Sequence, residues 1–467
     1  MTALQVIRSH VYGVDMMSAI LLARIQFAFT VSFHIIFPAI TIGLGMWLVV
    51  LEGLWLKTKK PVYMDIYNFW VKFFAVAFSM GVVSGVVMAF QFGSNWSEFS
   101  KFSGSVTGPL LIYEVITAFF LEAGFLGIML FGRDRVGPKM HFFATAMVAI
   151  GTTFSAYWIL VSNSFMQTPP SLESGAIEIV DGAVVVKDWL AILFSASLPI
   201  RMVHMLTAAL LTATLIISGT AAWHLLRGNR NAAVKKMLSM SLVTLFFVSI
   251  FQVVIGDIHG LNVRDHQPTK LAAIEGHWDA TPEGEGTGFI LFAIPNQEEQ
   301  KNYFSIEIPY AASLILTHSL DGKVANLKAF PKEDIPPVGW VFWSFRVMVG
   351  LGFLMVILGI WGVWQRHKKT LGEKKGLLRF ALWMGPSGLI SVLAGWFVTE
   401  IGRQPWLVYN IMRVTEGHSF IHTAGDLTVS LALFVIAYLV VFLFGVTILF
   451  RILRRGPQSS DVAVAEQ

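Results

Sequence analysis

The run Gly395-Trp-Phe-Val-Thr-Glu400-Ile-Gly-Arg403-Gln-Pro-Trp406 closes a long apolar segment, yet it holds a carboxylate and a guanidinium three residues apart. A charge at membrane depth costs at least about 2.5–3.5 kcal/mol, so it is kept for a partner or a task. Residues i and i+3 share a helix face, so Glu400 and Arg403 can neutralise each other. A structural pair does not explain the other polar groups in apolar segments. Glu114 and Glu122 bracket Val-Ile-Thr-Ala-Phe-Phe-Leu. Eight residues make a little over two helical turns, so both carboxyls project within one broad face. An acid held neutral can give and take a proton, which suits a relay. Ser155 and Asn163 of the next apolar segment can extend it.

Three further residues are candidate ligands. His34 stands in Thr30-Val-Ser-Phe-His34-Ile-Ile-Phe-Pro38. Pro38 cannot donate to the His34 carbonyl, and the resulting kink can open room for a bulky group. His204 stands just inside the start of one apolar run, in Arg201-Met-Val-His204, and Met348 a few turns inside the start of another, in Phe345-Arg346-Val-Met348. At matching depth, His and Met make an axial pair for a low-spin haem. A lone His also serves as a satisfied core residue, and Met is common core filler. Arg201 and Arg346 can meet haem propionates or snorkel outward.

Positioning these groups falls to membrane helices. The chain is 55% hydrophobic and 13% charged, against about 25% charged in soluble domains. The fold class is all-α, a polytopic membrane helix bundle. There is no cysteine, which excludes c-type haem attachment, thiolate-held iron–sulfur clusters and disulfides. The net charge of +5 sits in short loops, where it reports topology rather than nucleic-acid binding.

A span needs about 20 apolar residues. Nine runs qualify: 16–51, 69–92, 108–131, 141–165, 199–224, 237–255, 338–364, 379–400 and 427–453. The first continues too far for a cleaved signal segment. Loops holding Lys57, Lys59 and Lys60; Arg133, Arg135 and Lys139; Arg227, Arg230, Lys235 and Lys236; Arg366, Lys368, Lys369, Lys374 and Lys375; and Arg451, Arg454 and Arg455 alternate with poor ones. The positive-inside rule puts the rich set in the cytoplasm, with the N-terminus outside and the C-terminus cytoplasmic. The expected organisation is 1–256 with spans one to six, 257–337 as an outer loop, 338–455 with spans seven to nine, and 456–467 as a disordered cytoplasmic tail. The outer loop carries Lys270 and Glu275 in a helix-prone run, and a loop of that length is usually functional.

Together these residues resemble subunit I of the bacterial cytochrome bd quinol oxidases. The likeness covers essentially the whole chain. It includes Gln91-Phe-Gly-Ser-Asn-Trp96, Glu114…Glu122, Trp158…Asn163…Met166-Gln167, Lys270…Glu275, Phe292-Ala-Ile-Pro295 and the Gly395–Trp406 box. The resemblance implies oxidation of a membrane quinol, ubiquinol or menaquinol, and reduction of dioxygen to water, building a proton-motive force without a pump. It implies three haems: His204 and Met348 on a low-spin haem b, His34 on haem d (or haem b in its place), and Glu400 on a high-spin haem b. Arg346, Trp396 and Arg403 match residues packed around the haems. Glu114 and Glu122 match acids near the oxygen site, and Lys270 and Glu275 match quinol-loop residues. Implied partners are subunit II and a small single-span accessory subunit, in the bacterial inner membrane, with no nucleic acid. The loop looks short beside long-loop members, lacking their insertion after Phe292-Ala-Ile-Pro295; short-loop members include cyanide-insensitive oxidases. A proton-coupled transporter is the alternative, though it leaves His204 with Met348 unexplained. A haem–copper oxidase needs adjacent histidines, and no His-His pair occurs.

Overall fold

The computed structural model describes residues 3–282 and 284–458, with side chains from residue 16. Among the described residues, nine helical segments are long and apolar enough to cross a membrane. They are built from α1 (Ala3–Thr58), α2 (Pro61–Ser94), α3 (Ser97–Thr117) with α4 (Gly124–Phe131), α5 (Pro138–Gln167), α6 (Trp189–Leu193) with α7 (Leu198–Leu226), α8 (Ala232–His266), α11 (Val338–His367), α12 (Lys375–Met384) with α13 (Ser387–Ile401), and α15 (Ala424–Arg455). All nine expected spans are there, and the helices outrun their apolar cores. The tail expected to be disordered falls, from residue 459 on, outside the described residues.

Local sequence sets the helix starts. Proline opens α2 and α5, where its missing N–H costs nothing. Asn231 caps α8 by accepting from the Val234 amide, and Thr423 with Asp426 forms a capping box on α15. α1 runs unbroken through Pro38. Between α3 and α4 the helix widens into a π segment, Ala118–Ala123, which contains Glu122.

α1 is the central post. It packs against α2, α5, α7, α13 and α15. On one side α3 lies against α5. On the other, α8 bridges α7 and α11, and α13 packs on both α7 and α11. A large apolar cluster, with Trp47, Trp70, Phe74, Leu215, Leu242 and Leu377, fills the end that carries the basic connections. A second, with Trp96, Phe99, Phe165, Leu198 and Val408, fills the opposite end. His34, Glu114, His204, Met348 and Glu400 belong to neither.

The long loop differs from the expected 257–337 segment at its start. α8 stays helical to His266, because Asp257, His259 and Arg264 lower hydropathy without breaking a helix. Pro268 then opens α9 (Pro268–Glu275), and Gly276, at φ +76, ends it in the left-handed conformation. A hairpin follows, β3 (Phe289–Asn296) with β4 (Lys301–Ile308), and then α10 (Ala311–Thr317). Smaller hairpins are β1 (Ile177–Val180) with β2 (Ala183–Val186), and β5 (Trp406–Val408) with β6 (Met412–Arg413), the latter followed by the single turn α14 (Val414–Gly417).

Candidate functional site

His204 of α7 meets Gly256 and His259 of α8, Met348 of α11 meets Gly395 of α13, and α8 packs on both α7 and α11. A Cβ built on Gly256 of α8 would lie 3.7 Å from His204 Cε1, and one on Gly395 of α13 would lie 3.0 Å from Met348 Sδ. Each candidate ligand therefore packs directly against glycine backbone, where a larger residue would press on the imidazole or the sulfur. His204 Nδ1 is 3.4 Å from His259 Nδ1, and the two rings meet edge to face. That contact occupies Nδ1 and leaves His204 Nε2 as the free donor atom. His259 was not singled out from sequence, because it stands in the polar end of α8 and looks like loop.

His34 on α1 shows the same pattern. Its Nδ1 is 3.0 Å from Ser84 Oγ of α2, and a Cβ on Gly85 would lie 3.0 Å from its Cε1. Nε2 is again the free nitrogen. Among the described residues, no three or more His, Asp or Glu side chains group as a metal cage. Lone imidazoles and a thioether, each facing a glycine, fit a macrocycle that brings four nitrogens of its own.

Glu400 is wrapped from three directions. Arg403 donates to its Oε2 at 2.5 Å, while Asn163 Nδ2 and Gln167 Nε2 donate to Oε1 at 2.9 and 3.2 Å. Arg201, buried, donates to Asn163 Oδ1. Arg403 is buried with Nε unpartnered, and NH1 reaches the Leu407 carbonyl at 2.7 Å. The i,i+3 pair expected from sequence forms, and it is one edge of a larger charge cluster. Asn163, a candidate extension of the relay from Glu114, serves Glu400 instead. Trp396 packs against the small apolar cluster of Ile35 and Ala39 of α1 and Val392 of α13.

Glu114 and Glu122 both address α5. Ser155 Oγ donates to Glu114 Oε1 at 2.8 Å, and a Cβ on Gly151 would meet Glu122 Cγ at 2.8 Å. Ser155 and Gly151 are one turn apart on a single stripe of α5. In a regular α-helix the two acids would diverge by about 80°. The π segment widens the turn between them, so they stay aligned on that stripe.

Lys270 and Glu275 do not pair with each other. Five residues along α9 turn the two side chains about 140° apart. Lys270 Nζ donates to Gln167 Oε1 at 2.5 Å and to Gln267 Oε1 at 2.7 Å. Burial, with Arg201 and Arg403 nearby, holds the Lys270 amine well below its usual range. Glu275 faces Arg346, 3.9 Å away, and its Oε2 has no hydrogen bond. Burial pushes the Glu275 carboxyl up to about 7, against the pull of Arg346. Arg346 itself is fixed by the carbonyls of Ile274 and Ile290, the latter at 2.6 Å from NH2, and stacks 3.6 Å from the Phe342 ring centre.

The family described as cytochrome bd terminal oxidase subunit I matches residues 22–457. Cytochrome bd ubiquinol oxidase subunit 1 of Bacillus subtilis (strain 168) is 33% identical over 454 residues, covering 95% of this chain and 96% of that protein. Cytochrome bd-II ubiquinol oxidase subunit 1 of Escherichia coli (strain K12) is 32% identical, covering 94% and 97%. The solved structure of bd oxidase from Geobacillus thermodenitrificans superposes with a TM-score of 0.86 at 30% identity, covering 94% of this chain and 99% of that one. The chain belongs to the cytochrome bd terminal oxidase subunit I family.

Proposed function

We propose that this chain takes electrons from a membrane quinol at the Lys270–Glu275 end and passes them through three haems to dioxygen. Family membership makes it a haem-bearing subunit of a terminal quinol oxidase, an oxidoreductase of the bacterial cytoplasmic membrane that works with a subunit II; a transporter role has no support. The finer assignments are ours. His204 and Met348 would hold the low-spin haem b, His34 the haem d (or b), and Glu400 the high-spin haem b. Bound haem supplies one-electron transfer and an open coordination position for dioxygen.

The chain's own residues do the rest. Glu275, its carboxyl raised to about 7 by burial, can accept a quinol proton, and Lys270, its amine held low by burial, can hydrogen-bond a quinol oxygen. Two quinols release four protons and four electrons, and one dioxygen consumes four of each. Glu122 and Glu114 can hand protons toward the oxygen site. With quinol oxidised outside and protons taken from the cytoplasm, turnover charges the membrane without pumping; basic connections on the opposite end from α9 support that orientation. Relatives are named for ubiquinol and for menaquinol, so the class carried here is a lipid quinol. A small accessory subunit remains part of the proposed assembly.

The observation that carries the reading is the paired placement of Met348 against Gly395 and His204 against Gly256. The test is a reduced-minus-oxidised spectrum and extracted haem count of the purified oxidase, with His34→Ala and Glu400→Ala alongside. Each variant should lose one high-spin haem. Full retention of all haems in either variant defeats that assignment.

A further inference from the structure

Four acids within the spans meet one helix, α5, in order along its length. Glu52 of α1 meets His141 and Thr145, Glu122 meets Gly151, Glu114 meets Ser155, and Glu400 meets Asn163 and Gln167. The last three belong to the site already described. Glu52 does not, and it is deeply buried at 1% exposure, with His141 at 2% and Thr145 at 0%. An ionisable group at that depth is retained for a partner or a function.

The geometry counts the protons. His141 Nε2 is 3.2 Å from the Met129 carbonyl of α4, so Nε2 carries a hydrogen. His141 Nδ1 is 2.5 Å from Glu52 Oε1. Two lone pairs repel at that distance, so one proton lies between them. Whether written as imidazolium–carboxylate or imidazole–carboxylic acid, the pair holds that one proton. Thr145 Oγ1 donates to Glu52 Oε2 at 2.7 Å, and Tyr67 OH of α2, 2.8 Å away, therefore donates to Thr145. At the basic end, Lys59 and Arg133 sit over the Trp55 ring, one turn beyond Glu52, and Arg133 also donates to Asn68 at 2.8 Å.

We propose that the Glu52–His141 pair is a proton-holding station, the first rung of a ladder on α5 that feeds Glu122 and Glu114 during oxygen reduction. The proposal rests on reading those two acids as the proton path. At about 1.5 Å per residue, Thr145 stands about 9 Å of helix from Gly151, and Ser155 about 6 Å further. The proposal has a short file of waters cross that first interval, past the buried Thr152 hydroxyl, which faces Gly45 of α1. In the step, the shared proton leaves the Nδ1–Oε1 line and enters that file, and the file's far end delivers a proton to the Glu122 carboxylate. A carboxylate and a neutral imidazole are left with lone pairs opposed, which favours reloading from the basic end.

The experiment uses the purified oxidase complex carrying Glu52→Gln, His141→Gln and, separately, Glu122→Gln. Haem content, anaerobic reduction of the haems by quinol, steady-state oxygen uptake and its isotope effect in D2O are measured. The expected result for Glu52→Gln is normal haem, normal reduction, oxygen uptake down about 100-fold and an enlarged isotope effect. A merely structural pair would lower haem content or stability and leave the isotope effect alone. Normal uptake in Glu52→Gln with slow Glu122→Gln overturns the station while sparing the path. Normal uptake in both overturns the path and the station with it. Slow Glu52→Gln with normal Glu122→Gln overturns the route through Glu122. Should Glu52→Gln not assemble, Thr145→Val removes the donor to Glu52 Oε2 and keeps the pair; unchanged uptake and isotope effect there overturn the proposal.

Discussion

Lys270 and Glu400 are joined by a single side chain. Gln167 Oε1 accepts from Lys270 Nζ at 2.5 Å, and Gln167 Nε2 donates to Glu400 Oε1 at 3.2 Å. The fully buried amide thus links the loop to the span bundle. Gly402 makes the approach possible, since a Cβ there would lie 2.9 Å from Lys270 Cγ. Polar groups confined in low dielectric act on one another strongly, so the two ends of this bridge are electrically coupled.

The first prediction follows from that bridge. Gln167→Ala removes one donor from Glu400 Oε1 and leaves the carboxylate more electron-rich. If Glu400 ligates a haem, its ferric form gains and its midpoint potential falls by about 60 mV, the one-electron equivalent of about 1.4 kcal/mol. Haem content should stay normal, because Arg403 and Asn163 still hold the carboxylate. Redox titration followed optically checks this, and an unmoved potential counts against it.

How far the sequence carried the fold depended on which groups had local signals. Nine apolar runs made the spans legible, and the Gly395–Trp406 box disclosed Glu400 with Arg403. Glu52 and His141 gave no such signal: each is one polar residue in its own helix, and only packing of α1 on α5 joins them. His259 was hidden because α8 outlasts its apolar stretch. The alignment of Glu114 with Glu122 depends on a π segment that no residue pattern announced. Gln167 stood in a recognised motif, but its two partners come from distant chain segments.

Glu275 should set a pH limb. Its carboxyl, raised to about 7 by burial, is neutral below that value and a carboxylate above it. A base must be ionised to accept a proton, so kcat/KM for quinol should rise with pH through about 7 and then level. Glu275→Gln should abolish the limb and cut kcat/KM for quinol by about 100-fold. Electrons from an artificial donor to the haems should pass unimpaired. His277, two residues on, is held down to about 4 by burial and stays neutral over this range, so it adds no second limb. A limb that survives in Glu275→Gln would assign it elsewhere.

Met348 and Gly395 give a paired test of the low-spin haem. Met348→Leu keeps the volume and removes the sulfur, and should turn that haem high-spin or lose it. Gly395→Ala leaves the sulfur but crowds it, since the new Cβ would lie 3.0 Å from Sδ. That variant should weaken ligation rather than abolish it, visible as a partial loss of the low-spin α-band. An unchanged spectrum in Met348→Leu rejects the ligand, and Gly395→Ala alone matching wild type shows that Met348 can yield.

The last prediction separates proton supply from electron supply. Glu122 is buried in the π segment against Gly151, while Glu114 is half-buried and tied to Ser155. Glu122→Gln keeps the shape and hydrogen bonding but cannot ionise. Its haems should assemble and accept quinol electrons at the normal rate, while steady-state oxygen uptake falls about 100-fold or more. Ser155→Ala should cost far less, because it removes one hydrogen bond of about 1 kcal/mol and leaves Glu114 able to titrate. The decisive measurement is oxygen uptake per haem in Glu122→Gln. Normal turnover there would move proton entry to another surface, and the aligned pair on α5 would then be a packing feature of the π segment.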